Sequence, residues 1–342
     1  MKKLLLITQK VDKNYQLLGF FIDWLNRFAL KFDKITIICL EKGEFKLPDN
    51  VEVVSMGKDR GFNKLSQLAT FYRLIGTFDY DAVFVHMNPI WVVLGGPVWR
   101  LKGKKIYFWY THKAVTPKLR LAEKFADVIF TASKESFRLP SKKVIVTGHG
   151  INTDLFRPEP FKREIISGLK ILSVGRISPV KNYGTLIEAV KILKDKNIEF
   201  SVSMIGEPAL DSDRIYEAKI KSRIKELGLD DNFDFAGKIS HSNLPGYYKS
   251  SDIFIHLSKT GSVDKTILEA MACGMKVLSS NDSARAFLPA ELIFDESDPL
   301  ELAVKILALK DKPVSPALRE YVVTNHNLDS LIDKISKKII ES

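Results

Sequence analysis

Two basic residues five positions apart, Arg176 and Lys181, follow a strand-like run that ends at Gly175 in SVGRISPVKN, residues 173–182. Arginine offers a planar fork of donors and lysine a point charge, so the pair suits a diphosphate. Each charge-assisted hydrogen bond is worth roughly 1.5–3 kcal/mol. A second stretch, KTGSVDKTILEAMACG at 259–274, reads as a polar loop feeding a short helix that stops at Gly274. Amides at a helix N-terminus attract anions, and Gly261 and Ser262 let a phosphate come close. Glu269 lies among Ile267, Leu268, Ala270 and Met271, too far along the helix to act as a cap. A buried carboxylate without a partner is costly, and ribose hydroxyls would supply one. Each stretch also has a plain alternative: ordinary surface cations in the first, an exposed helix face for Glu269 in the second.

Such residues need a frame, and the chain alternates strand and helix signals throughout. Apolar, β-rich runs at 4–8, 34–40, 51–56, 81–87, 105–111, 128–133 and 143–150 read as strands, with helical spacing at 17–32, 63–78 and 119–126. The pattern repeats with strands at 170–176, 200–206, 233–238, 252–258 and 276–279. Helices are expected at 183–196, 213–228, 243–251 and 300–309, and the tail from 315 is largely helical. This alternation predicts parallel sheets covered by helices on both faces. The units divide near 151–168, where NTDLFRPEPFKREIISG has the composition of a linker. The expected fold is therefore α/β, with two Rossmann-like βαβ domains facing across a cleft. The first spans 1–155, with a helix at about 325–342 packing back onto it, and the second spans 165–320. Ligands of such folds bind at the C-terminal ends of the strands, which is where both stretches lie.

A length of 342 residues, 45% hydrophobic and 27% charged, describes an ordinary globular chain with a sizeable core. Cys39 and Cys273 are too few for a disulfide framework or a zinc site and read as buried thiols in a reducing compartment. The apolar run at the N-terminus is too short for a signal peptide and reads as a strand. The most membrane-like segment, PIWVVLGGPVW at 89–99, falls short of a spanning helix. The net charge of +11 lies wholly in the first half: residues 1–160 carry 26 Lys/Arg against 15 Asp/Glu, and residues 161–342 carry 26 of each. A basic half calls for an acidic partner. Arg100, Lys102, Lys104 and Lys105 follow the tryptophans and aliphatic residues of 89–99, a combination suited to an anionic membrane surface. No aromatic-basic recognition motif supports nucleic acid as a partner. There is no glycine-rich dinucleotide fingerprint after the first strand, no Walker A sequence and no G-x-S-x-G elbow.

GRISPVKN, MIGEP at 204–208, FAGKISHSNLPGYYKSSDIFIHLS, LEAMACGMKVL and the linker GHGINTDLF together resemble glycosyltransferase family 4, retaining enzymes of the GT-B fold. The resemblance covers most of the chain and is strongest from 170 to 310. It implies a hexosyltransferase that moves a sugar from a nucleotide-diphosphate donor to an acceptor hydroxyl, with no metal or other cofactor. Arg176 and Lys181 would hold the diphosphate beside Gly175 and Gly206, Glu269 the ribose hydroxyls, and the loop at Lys238–Ile239 the base. The acceptor side would hold His112, after the strand KIYFWYT, and the family's glycine-rich loop after the first strand, near which only Gly19 remains. His86 competes with His112 for that place. Asp211-Ser212-Asp213 reads as a surface loop and not as a metal site.

The chain also departs from the family. Gly261 stands where a first glutamate is usual, and Ser262-Val263-Asp264 replaces Gly-Phe-Gly. Asp264 and Lys265 are the expected substitutes for contacts to sugar hydroxyls and phosphate. The expected acceptor is a lipid-linked or cell-surface glycan precursor, reached from the cytoplasmic membrane face. The alternative is a non-catalytic GT-B module that binds a nucleotide-sugar or a partner without turnover.

Overall fold

The structure, a computed structural model, describes residues 2–15, 17–158, 168–259 and 261–342. The chain forms two compact units: unit 1 is Met1–Asn152 with Asn325–Ser342, and unit 2 is Thr153–Thr324. Part of the expected linker, 159–167, lies outside the described residues.

The strands of unit 1 are β1 (Lys3–Val11), β2 (Lys34–Lys42), β3 (Val51–Ser55), β4 (Ala82–His86), β5 (Lys105–Trp109), β6 (Val128–Thr131) and β7 (Val144–Val146). Between them run α1 (Phe21–Ala29), α2 (Lys64–Thr77), α3 (Pro89–Leu101) and α4 (Pro117–Phe125). In unit 2 the strands are β8 (Leu169–Val174), β9 (Phe200–Ile205), β10 (Phe233–Gly237), β11 (Ile253–His256) and β12 (Lys276–Ser279). Its helices are α5 (Tyr183–Asp195), α6 (Asp211–Glu226), α7 (Leu244–Ser250), α8 (Lys265–Ala272) and α9 (Pro299–Lys310). Next come α10 (Pro316–His326) and α11 (Leu328–Ile340).

All strand pairs are parallel, in the orders β3-β2-β1-β4-β5-β6-β7 and β10-β9-β8-β11-β12. Both faces of the first sheet are buried, as parallel sheets require. Along β1, Leu4 and Leu6 join one core, while Leu5 and Ile7 join the other. Phe21, Trp24, Leu25, Phe28 and Ala29 of α1 recur at helical spacing and seal the first core. Leu331, Ile332 and Ile335 of α11 complete it, and salt bridges from Arg27 to Asp329 (2.6 Å) and from Lys31 to Asp333 (2.7 Å) hold the rim.

Helix α3 was not expected from the sequence, because Gly95, Gly96 and Pro97 punctuate it. The glycines are there for packing rather than turning. A Cβ at Gly95 would overlap the Trp99 ring, and one at Gly96 would lie 2.6 Å from Phe125 Cγ. Trp91 and Trp99 are core residues, so the reading of this segment's tryptophans as membrane-interface residues is corrected. Three of the four cations after it are also engaged. Arg100 donates to Phe125 O (2.8 Å) and pairs with Asp127, Lys102 donates to Ile75 O (3.0 Å), and Lys104 lies over the Tyr80 ring.

Candidate functional site

In the order β10-β9-β8-β11-β12 the chain winds outward in both directions from β8 and β11. The loops leaving these two neighbours diverge there, and in open parallel sheets that switch point, at the C-terminal ends of the strands, is where ligands bind. The loop after β8 supplies Gly175, Arg176 and Lys181, and the loop after β11 leads to Asp264 and α8. Lys181 Nζ meets Asp264 Oδ2 at 2.6 Å across this point. Gly175 makes room for it, since a Cβ there would lie 3.0 Å from Lys181 Cε.

Asp264 does more than the sequence suggested. It is the N-cap residue of α8, yet its side chain caps no amide. Its Oδ2 also lies 3.1 Å from Nε2 of His256, the last residue of β11 and only 2% exposed. Burial lowers the His256 pKa, so the ring is neutral. Because a carboxylate only accepts, the single N–H belongs on Nε2, and the buried Nδ1 has no hydrogen-bond partner among the described residues. Burial alone would raise the Asp264 carboxyl, but the Lys181 ammonium and His256 hold it well below the usual carboxylate range.

Arg176 presents a side chain 38% exposed, with Nε 3.6 Å from Asp213 Oδ2. The expectation of a surface loop at Asp211–Asp213 is corrected: these residues form the first turn of α6, and Asp213 is 3% exposed. Its Oδ2 accepts from the Ala209 and Leu210 amides at 3.2 Å each, the work of an acidic residue in a first helical turn. Among the described residues no group of three His, Cys, Asp or Glu could hold a metal ion.

Glu269 is buried on α8, at 4% exposure. It already has two protein partners. Tyr248 OH donates to Oε2 at 3.1 Å, and His241 Nε2 lies 3.2 Å from Oε1. Burial, and then the Glu269 charge, push the Tyr248 hydroxyl well above its ordinary pKa, so it remains a donor. Phe156 packs edge-on against both the His241 and Tyr248 rings. A carboxylate has about four lone-pair sites, and among the described residues these two side-chain contacts use two of them.

The other expected donor residues lie on the same sheet edge. Gly206, with φ +134°, donates its amide to Gly237 O (2.8 Å) and ties the ends of β9 and β10 together. Lys238 is exposed and Ile239 half-buried in the loop that leads to His241. Gly261, Ser262 and Lys265 are half-buried, and Ser262 O accepts from Asn281 Nδ2 at 3.1 Å. Arg319 fixes the other end of α8 through Ala272 O, Phe156 O and Thr153 O. A hollow of about 520 Å³ lined by Gly274, Val314, Pro316 and Arg319 contains none of the expected donor residues.

In unit 1, His86 ends β4 but belongs to the core. At 2% exposure its ring stacks on Phe21 (4.1 Å between centroids), and Nδ1 lies 3.3 Å from Thr8 Oγ1. That placement corrects its assignment to the acceptor side. His112 is exposed after β5, where Nδ1 accepts from the Ala114 amide (3.0 Å). Gly19 packs on the 13–15 loop, where a Cβ would meet Lys13 O at 2.8 Å.

His241, Tyr248 and His256 were missed in the sequence. All three lie within FAGKISHSNLPGYYKSSDIFIHLS, and His241 follows closely on the Lys238–Ile239 loop expected to receive the base.

Residues 158–335, more than half the chain, match the model of the family described as glycosyl transferases group 1. The chain is 30% identical over 203 residues to the amylovoran biosynthesis glycosyltransferase AmsK of Erwinia amylovora, covering 55% of this chain and 48% of AmsK. It is 24% identical to an Escherichia coli UDP-Gal:alpha-D-GlcNAc-diphosphoundecaprenol alpha-1,3-galactosyltransferase, covering 91% of this chain and 89% of that protein. It spans about half or less of the length of several curated relatives that it matches. Among solved structures, Anabaena Alr3699/HepE in complex with UDP superposes with a TM-score of 0.79 at 17% identity, covering 100% of both chains. That likeness speaks for the fold, the GT-B arrangement of two parallel-sheet units.

Proposed function

The chain belongs to the glycosyl transferases group 1 family, and from that membership we propose that it is a retaining hexosyltransferase. It moves a sugar from a nucleotide-diphosphate donor to a hydroxyl of a lipid-linked or cell-surface glycan precursor. The observation that carries the reading is the gathering of Lys181, Asp264 and α8 at the point where the second sheet's loops diverge. Arg176 and Lys181 face the diphosphate, and Glu269 uses its two remaining lone-pair sites for ribose hydroxyls. The loop at Lys238–Ile239 receives the base, and His112 contacts the sugar or the acceptor.

In the step itself the acceptor oxygen bonds to the anomeric carbon on the face from which the phosphate departs. The sugar–phosphate bond breaks with its electron pair going to the phosphate, and a phosphate oxygen takes the acceptor proton. Negative charge therefore grows on the leaving diphosphate, where fixed cations lower the barrier most. Arg176, Lys181 and the α8 amides supply that charge in the role a metal serves elsewhere, so the reaction proceeds without one.

A thermal-shift series with UDP, GDP, ADP and their glucose esters tests the donor site. A ligand that binds only the folded state raises its stability. One base series is expected to raise the melting temperature, and no response to any of them removes the reading. A second reading, a nucleotide-sugar module without turnover, draws support from the pairing of Lys181 with Asp264. Turnover of any nucleotide-sugar eliminates it.

A glycan-lipid acceptor brings unit 1 to an anionic membrane on the cytoplasmic side. Lys118, Leu121 and Lys124 share the outer face of α4 at spacings of three, next to Arg120. All four are exposed, and none of the three cations has an ion-pair partner among the described residues. A surface cation near anionic lipid contributes about 1 kcal/mol. Replacing all three cations with alanine is thus expected to weaken partition onto phosphatidylglycerol vesicles about a hundredfold. If the wild type stays in solution during flotation at low salt, this part of the proposal is lost.

A further inference from the structure

Both cations of the proposed diphosphate clamp already face a carboxylate: Arg176 faces Asp213 at 3.6 Å, and Lys181 faces Asp264 at 2.6 Å. The two carboxylates differ in kind. Asp213 is occupied with the Ala209 and Leu210 amides just before α6, at 3% exposure. Asp264 has no capping task, and its side chain is 28% exposed. It is held on Lys181 from behind, because His256 contacts the same oxygen, Oδ2, at 3.1 Å. Thr266 Oγ1 lies 3.4 Å from the other oxygen. A phosphate that reaches for Lys181 therefore meets a fixed negative charge already in place.

We propose that Asp264, positioned by His256, competes with phosphate for Lys181 and so makes the site favour the nucleotide-sugar over the free nucleoside diphosphate left after transfer. This rests on the donor-site reading above. The chemistry of the two ligands supplies the discrimination. The diphosphate of a nucleotide-sugar is esterified at both ends and carries about two negative charges. The free nucleoside diphosphate ends in a monoester whose second pKa is about 6, so it carries about three at neutral pH. The extra charge is on the β-phosphate, within the diphosphate that Arg176 and Lys181 face in the reading above. A carboxylate a few ångströms away repels it in proportion to that charge. The product is thereby penalised more than the donor, and it leaves once the sugar has been transferred. His256 is needed because an untethered aspartate would swing into solvent and leave Lys181 to the product.

Isothermal titration of UDP, GDP and ADP, each with its glucose ester, against wild type, Asp264→Asn and Asp264→Ser tests this. In the base series that binds, the wild type is expected to hold the glucose ester at least as tightly as the free diphosphate. Both variants should tighten the free diphosphate about tenfold or more and the glucose ester by clearly less. His256→Leu should move affinities in the same direction. A purely structural role for Asp264 would instead weaken both ligands together. The inference is overturned if folded Asp264→Asn or Asp264→Ser binds the free diphosphate no tighter than wild type. It is equally overturned if the wild type itself prefers the free diphosphate by tenfold, a measurement that needs no variant. If the wild type binds none of the six ligands, the donor-site reading fails and takes this inference with it.

Discussion

Replacing Lys181 with alanine is expected to lower kcat between a hundredfold and a thousandfold, the largest single effect in the molecule. Removing one preorganised charge stabiliser from a reacting oxyanion costs about 2.7–4 kcal/mol in comparable sites. Here two effects add. The ammonium that would face the leaving phosphate is gone, and Asp264, left with the neutral His256 and no cation, directs an uncompensated charge at the same place. Lys181→Arg keeps the charge but not its compact shape, and its loss should be intermediate. The double variant Lys181→Ala with Asp264→Asn should recover part of the single variant's deficit, because the two side chains are in contact and their effects cannot be independent. Initial rates with saturating donor measure this, and repeating them in excess EDTA checks that no metal shares the work. A kcat within threefold of wild type for Lys181→Ala would end the assignment.

The frame that holds Lys181 was readable because it is built from short-range patterns. KITIICL can only be a strand buried on both faces, and β2 extends it by two residues, to Lys42. Helix α8 and β12 were legible down to Gly274, whose φ of +69° closes the helix as a glycine can. Where the reading failed, local rules met long-range packing. The glycines of α3 looked like breaks because nothing nearby in sequence announces that Trp99 and Phe125 will fill the space they leave. Helix α1 begins at Phe21 rather than 17, because residues before it turn around Gly19, whose amide donates to Tyr15 O (2.6 Å).

The same division runs through the candidate site. Its residue types were visible in the sequence, and their partners were not. Lys181 and Asp264 are separated by 83 positions and Glu269 and His241 by 28, so only the topology could pair them. Asp213 shows the reverse: LDSDR resembles a pair of metal-binding aspartates, yet one of them closes a helix turn. His86 is a further case. A histidine at the end of a strand invites a functional reading, but α1 lays Phe21 flat against its ring.

Glu269 carries the second large effect, and two variants separate its two duties. Glu269→Ala removes the acceptor shared by Tyr248 and His241 and leaves the buried Tyr248 hydroxyl only the long contact to Thr266 O, at 3.5 Å. An orphaned buried donor costs about 1–3 kcal/mol. For a unit of this size that is a drop in melting temperature of about 3–10 °C. Glu269→Gln keeps an oxygen for Tyr248 and nearly the same volume, so its melting temperature should fall by less than half as much. Ribose distinguishes the two roles. If the carboxylate binds ribose hydroxyls, the glutamine variant loses two charge-assisted bonds in exchange for neutral ones, at roughly 1 kcal/mol each. Donor Kd should then rise about tenfold to thirtyfold, with kcat far less affected, because ribose contacts are alike in the ground and transition states. If Glu269 serves only to fasten α7 and the His241 loop to α8, Glu269→Gln will bind donor like wild type while still melting lower. A glutamine variant that keeps its melting temperature but loses donor affinity is the signature of the ribose clamp. Comparing the two Kd values with the two melting temperatures decides between clamp and fastener.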